Sequence, residues 1–257
     1  MAQGRRSPPS ATVIGLVFAF AGVAIIIFGH AHDHGWHWTG LISDLYANVG
    51  TDLAGTALAI LVIDRLAERR DEARMRAQLI REMSSTDPGF AGRAVLELTT
   101  RGWLEDGTLF GVRLTGANLH AAVLERADLR NVDLAGADLE NANMSRARLS
   151  EANLSAARMT RVNLEMANLT GATMGESQLD GADIAKAILV GANLTGADLR
   201  HADLNSANLS KADLADAVLT GADLRGADLT GSRLDRAVLD EVKYDESTLW
   251  PDGWPRL

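Results

Sequence analysis

From Gly191 to Thr230 the chain reads GANLT GADLR HADLN SANLS KADLA DAVLT GADLR GADLT: eight blocks of five with Leu always fourth and Ala always second. Followed outward, the pattern reaches Leu104 on one side and Leu249 on the other. Of the 30 positions on that five-residue grid, only Tyr244 is not Leu, Met or Ile. Two residues before each grid position, from Gly107 to Ser247, every residue is small, and 21 of these 29 are Ala. Asp or Asn often stands between them, as in Ala137-Asp138-Leu139 and Ala192-Asn193-Leu194. A period of five matches neither the 3.6 of a helix nor the 2.0 of a strand. It requires a coil that turns a corner every five residues, with the large and small apolar residues inside and three polar positions outside.

This tandem Ala-Asp/Asn-Leu pattern closely resembles the pentapeptide-repeat family over about residues 104–250. The resemblance implies a mainly β fold, a right-handed quadrilateral β-helix with four pentapeptides per coil and therefore about seven coils. Coil contacts and a continuous backbone ladder would stabilise it. With no catalytic constellation in its residues the chain is expected to be non-enzymatic; some members of the family imitate the charge and shape of DNA and bind type II topoisomerases, an activity the resemblance allows here.

The ends of such a solenoid need caps. Asp87-Pro88 is a helix start, with Asp at the N-cap and Pro at the first position. Phe90, Ala94 and Leu98 fall on one face of a helix over 88–101 that plugs the N-terminal end, within a cap at 87–103 that includes Trp103. Trp250-Pro251-Asp252-Gly253-Trp254-Pro255 breaks the repeat and reads as a C-terminal cap at 250–257, the solenoid itself occupying 104–249.

Composition narrows the chemistry. Zero Cys removes disulfides, thiolate catalysis and Cys-ligated zinc. Net charge is −9, and the excess lies wholly in residues 104–257, with 24 acids against 15 bases, so direct nucleic-acid binding is not expected. No phosphate loop, nucleophile elbow or metal-plus-base motif occurs, and no cofactor is implied.

The first part of the chain is different. Ala11–Gly29 is 19 uncharged, mostly apolar residues, and a second apolar stretch runs from Leu41 to Ile63. Arg5 and Arg6 precede the pair, and Arg65, Arg69, Arg70, Arg74, Arg76 and Arg81 follow it. Hydropathy and flanking charge predict a two-helix transmembrane hairpin over 11–63, with an outer loop at 30–40 and a short tail at 1–10. Both termini would then lie on the cytoplasmic side of a bacterial inner membrane, and residues 64–86 would form a cytoplasmic helix and hinge. A cleavable signal peptide fits less well, because the first run exceeds the usual ~7–15 residues and a second follows.

Three residue groups are site candidates. His30, His32, His34 and His37, beside Asp33, could bind a divalent metal, although they also suit a polar interfacial loop with Trp36 and Trp38. Asp44, Asn48 and Asp52 share a polar helix face that reads as an oligomerisation seam, or as a polar pathway through an oligomer. With twenty residues per coil, Asp183, Asp203 and Asp223 stack into an acidic column continued by Asn143 and Asn163. The sequence therefore points to a membrane-tethered interaction scaffold. Its expected partners are the lipid bilayer, an unidentified cytoplasmic protein and copies of itself. The alternatives are a topoisomerase-binding DNA mimic and an oligomeric membrane channel or effector.

Overall fold

The computed structural model describes residues 50–253, with side chains from 56 onward. Contacts divide the chain into two units, Met1–Arg74 and Met75–Leu257.

Helix α1, Gly50–Met83, is 34 residues long. It offers no membrane span: among the described residues no helix is long and apolar enough to cross a bilayer. The sequence gives the reason. Between Asp52 and Asp64 only the eleven residues Leu53–Ile63 are uncharged, which as helix cover about 17 Å against a hydrocarbon core of about 30 Å. This corrects the expectation of a multi-pass inner-membrane protein anchored by a hairpin. The first apolar run, Ala11–Gly29, lies outside the described residues. Within its own unit, α1 leaves Leu58, Leu61, Val62, Ile63 and Leu66 exposed.

In the second unit the end of α1 buries Leu79 and Met83. The segment after it forms a hydrogen-bonded turn. The Ser84 hydroxyl donates to the Arg81 carbonyl, and the Asp87 amide donates to the Ser85 hydroxyl. Helix α2, Pro88–Thr100, starts where Asp87 accepts the Gly89 amide at 2.7 Å. It ends because Gly102 takes a left-handed φ of 70°, letting the Trp103 amide reach the Leu98 carbonyl at 2.8 Å and the Gly102 amide that of Thr99. The buried face of α2 is Ala91, Ala94, Val95 and Leu98. Phe90, expected on that face, is 52% exposed and lies against the Arg93 guanidinium instead.

From Arg113 onward the chain is a solenoid. Parallel bridges join residues 20 apart, in four columns that start at Arg113, Asn118, Val123 and Asp128. The Arg113 column runs through Asp133, Asn153, Thr173, Asn193 and Asp213 to Arg233, which makes seven coils. Each face contributes one bridging residue per coil, too short a contact for a longer strand. Inside, Leu, Met and Ile alternate with Ala, almost all fully buried.

One pentapeptide accounts for all of its amides. The Asp138 amide donates back to Ala117, and the Leu139 amide donates forward to Arg158. The Asn141 amide donates forward to Thr160, and the Ala142 amide closes a turn onto Leu139. The remaining amide, Glu140, is taken by the Asp138 carboxylate. The outward Asp or Asn is thus a backbone cap, satisfying a donor that no carbonyl reaches. The corner itself is left-handed: every fifth residue from Gly111 to Glu241 has positive φ.

The repeat slips near its end. Asp228 pairs with Leu249, 21 residues on, so an extra residue enters after Lys243. Thr248, not Ser247, then takes the small inward position, Leu249 points out at 50% exposure, and Trp250 packs on the core. The five-residue grid ends at Leu239, and Tyr244 is exposed.

Candidate interaction surface

The outward residues form four columns, and their chemistry differs. The predicted acidic column is real as geometry: Asn143, Asn163, Asp183, Asp203 and Asp223 bridge in series, followed by Lys243. Each Asp accepts an amide two residues on, from Ala185, Asn205 and Arg225 respectively. The column is only partly uncompensated. The Arg225 guanidinium hydrogen-bonds both carboxylate oxygens of Asp223, and this, more than the Coulomb field of Arg225 or Lys243, holds the Asp223 carboxyl below its ordinary value. Asp183 and Asp203 form no ion pair among the described residues.

Other outward charges are tied in similar local pairs. Arg200 grips Asp198, Arg236 grips Asp216 one coil away, and Arg233 bridges Asp213 and Asp235. The hydrogen bonds from Arg200 and Arg236 lower the carboxyl pKa of Asp198 and Asp216. Near the N-terminal end, Asp128 is 1% exposed, held by Arg130 at 2.7 Å and Arg148 at 3.0 Å. The Arg130 hydrogen bond is the main reason its pKa is lowered against the opposing effect of burial.

Two histidines that look isolated in sequence are not so in space. His201 Nδ1 lies 2.9 Å from Asp180. His120 stands within 4.8 Å of Asp138 and Glu140. Arg158 already spans both of those carboxylates, at 3.2 and 3.1 Å, so a guanidinium occupies the place a metal would need. The signal for these pairs was the coil length itself, which places residues 20 or 21 apart side by side.

His30, His32, His34, His37, Asp44 and Asn48 lie outside the described residues. Asp52 falls in the first turn of α1.

A four-sided solenoid of five-residue sides, seven coils high, is a β-helix built to display side chains in rows. Profiles of pentapeptide repeats match residues 109–146, 141–175, 177–216 and 207–243. These segments span more than half of the chain, and the chain belongs to the pentapeptide-repeat family. Among solved structures, a pentapeptide repeat protein from Nostoc PCC 7120 is 34% identical over 44% of this chain and 77% of its own, with a TM-score of 0.34. Another, from the cyanobacterium Cyanothece 51142, is 34% identical over 43% of this chain, which spans 65% of its length, with a TM-score of 0.22. HetL from Nostoc sp. strain PCC 7120, a pentapeptide repeat protein involved in heterocyst differentiation regulation, is 26% identical over 56% of this chain and 87% of its own, with a TM-score of 0.25. Likenesses of this degree carry no inference about function. No curated protein matches the chain significantly.

Proposed function

We propose that the chain is a non-enzymatic interaction scaffold that offers a rigid row of carboxylates to a protein partner. The observation that carries this reading is the stacked register of Asp183, Asp203 and Asp223. Each carboxylate accepts a hydrogen bond from a backbone amide of its own turn, so little side-chain freedom remains to be lost on binding. Neighbouring rows sit about 4.8 Å apart. Lys or Arg side chains at strand-like spacing on a partner would meet such a row, and Asp183 and Asp203 supply the charge that this chain leaves unneutralised. A DNA mimic is less well supported, because Arg225 pairs with Asp223 and Lys243 ends the row with positive charge.

The test is affinity capture with the full chain and its Asp183→Lys/Asp203→Lys variant, each immobilised and challenged with lysate from the source cells. Prey retained by the native chain and lost with the variant supports the reading. An identical set of prey on both removes the column as the contact surface. A conserved fold in the variant is checked by its circular dichroism.

A further inference from the structure

The solenoid stops with its backbone edge open. In the sixth coil the amides of Leu214, Leu219 and Leu224 donate forward to Arg233, Val238 and Lys243 at 2.7–2.8 Å. In the seventh, the amides of Leu234, Arg236, Leu239 and Glu241 and the carbonyls of Ser232, Ala237 and Val242 have no backbone partner among the described residues. The apolar interior is open there as well. Ala237, Leu239 and Val242 are half-buried, while their counterparts one coil earlier, Ala217, Leu219 and Ala222, are fully buried. The Ser232 hydroxyl, in a residue only 8% exposed, is the one buried side-chain polar atom without a partner among the described residues. Its analogue Ser177 bonds the Met174 carbonyl.

The charge around this edge is one-sided. Residues 231–253 carry six acids against three bases. Arg233 and Arg236 are committed to the acids Asp213, Asp235 and Asp216, whereas Asp240, Glu241, Glu246 and Asp252 form no ion pair among the described residues. Beside the edge, Tyr244 and Trp250 stack edge to face at 5.8 Å and line an acidic cleft of about 690 Å³ with Asp245, Glu246 and Asp252. An aromatic edge among carboxylates suits a Lys or Arg side chain.

We infer that the C-terminal edge of the seventh coil captures an extended, basic segment of a partner protein, which adds as part of an eighth coil. Main-chain bonds along one side of the coil, to the Ala237 carbonyl and the amides of Leu239 and Glu241, supply affinity, and alternate side chains read the core and the acidic rim. A second copy docked end to end fits the backbone but not the charge, since two rims of the same sign would meet. This inference rests on the scaffold reading but uses residues far from the Asp183 column, so each can fail alone.

The probe is a fluorescein-labelled peptide of alternating Lys and Val, with its Glu–Val counterpart as control, titrated against the full chain. Anisotropy reports binding, and amide exchange at Leu239 and Glu241 reports its place. The expected result is binding of the Lys peptide alone, slowed exchange at those amides, and roughly tenfold or greater weakening in the Asp240→Lys/Glu241→Lys variant at low salt. Absence of binding, binding indifferent to those substitutions, or a concentration-dependent dimer that protects the same amides would each overturn it.

Discussion

The two ends of the solenoid meet the same problem and differ in how far they solve it. At the N-terminal end, backward-facing amides find carbonyls outside the repeat: Asn118 donates to Ser85 at 2.9 Å and Asp128 to Leu104 at 2.8 Å. The core there is roofed by Ala91, Ala94 and Leu98 of α2 and by Met83, all fully buried. Trp103 is held between the guanidinium groups of Arg76 and Arg101, and Arg76 also bonds Asp106 and Thr108. At the C-terminal end a one-residue slip brings Thr248 and Trp250 inward, the Thr248 hydroxyl reaching the Leu224 carbonyl at 2.9 Å. That closes one corner and leaves Leu239 half-buried. The difference teaches that a repeat ladder is as stable inside as its neighbours make it, while its ends depend on residues that do not repeat.

Truncating the two ends should break or confirm this contrast. Leu98→Ala empties a fully buried site under the N-terminal roof and should cost about 2–5 kcal/mol. Leu239→Ala, at a half-exposed site, should cost less than half as much. Urea denaturation of both variants decides the matter, and equal losses would mean that the C-terminal end is as well covered as the other.

Acid offers the next largest effect. Asp128 and Asp228 share a column, but only Asp128 is buried between two Arg side chains. Asp128→Asn should cost about 1–2 kcal/mol at neutral pH, less than a fully buried pair because both arginines are roughly half exposed. Asp228→Asn, which keeps the acceptor for the Thr230 amide, should be nearly neutral. Because the Asp128 pKa is lowered from 3.8 in the folded chain, its stabilisation is complete above that value and is lost as pH falls through the folded one. The Asn variant should therefore lose less stability than the native chain between pH 5 and acid, a difference visible in thermal melts across about that range.

Capping by the outward Asp or Asn should be indifferent to position. Asn143→Ala frees the Ser145 amide and hydroxyl nearer one end, and Asn168→Ala frees the Thr170 amide and hydroxyl further along. Each should cost about 0.5–1.5 kcal/mol. Unequal costs in calorimetry would show that end effects reach into the middle of the rod.

The smallest effect belongs to the corners. At Ala156, φ is 53°. Replacing it with Gly relieves left-handed strain and adds unfolded-chain entropy, so the sum should lie within about 0.5 kcal/mol of zero. Gly231→Ala, at an equivalent corner with φ 65°, is the reverse exchange and should likewise lie within about 0.5 kcal/mol of zero in thermal melts.

The repeat made the solenoid, its inward Leu and Ala and its stacked Asp column legible from sequence, because a strict spacing converts directly into position. It also marked the start of α2 through Asp87 and Pro88. What it did not show has physical causes. The slip after Lys243 kept a Leu at position 249, so the five-residue grid ran on past the place where the coil shifted. Phe90 has the right spacing to be buried, but α2 turns the face containing Ala91 and Val95 to the core. Apolar runs suggested membrane spans, yet in the described part of the second run the uncharged length is too short. Ion pairs such as Arg236 with Asp216 appear only once the coil length is known, since nothing in the local sequence links residues 20 apart.

The 20-residue coil behaves like a screw thread. Deleting one pentapeptide would leave the interior filled and turn everything downstream by a quarter revolution, moving Asp203 and Asp223 onto a different side from Asp183. Deleting four would shorten the rod by one step and keep every column intact. Changes whose length is not a multiple of five would strip the thread, as the single residue added after Lys243 does at the place where the repeat breaks. Such a chain can lengthen or shorten by whole turns with no change to what each side displays.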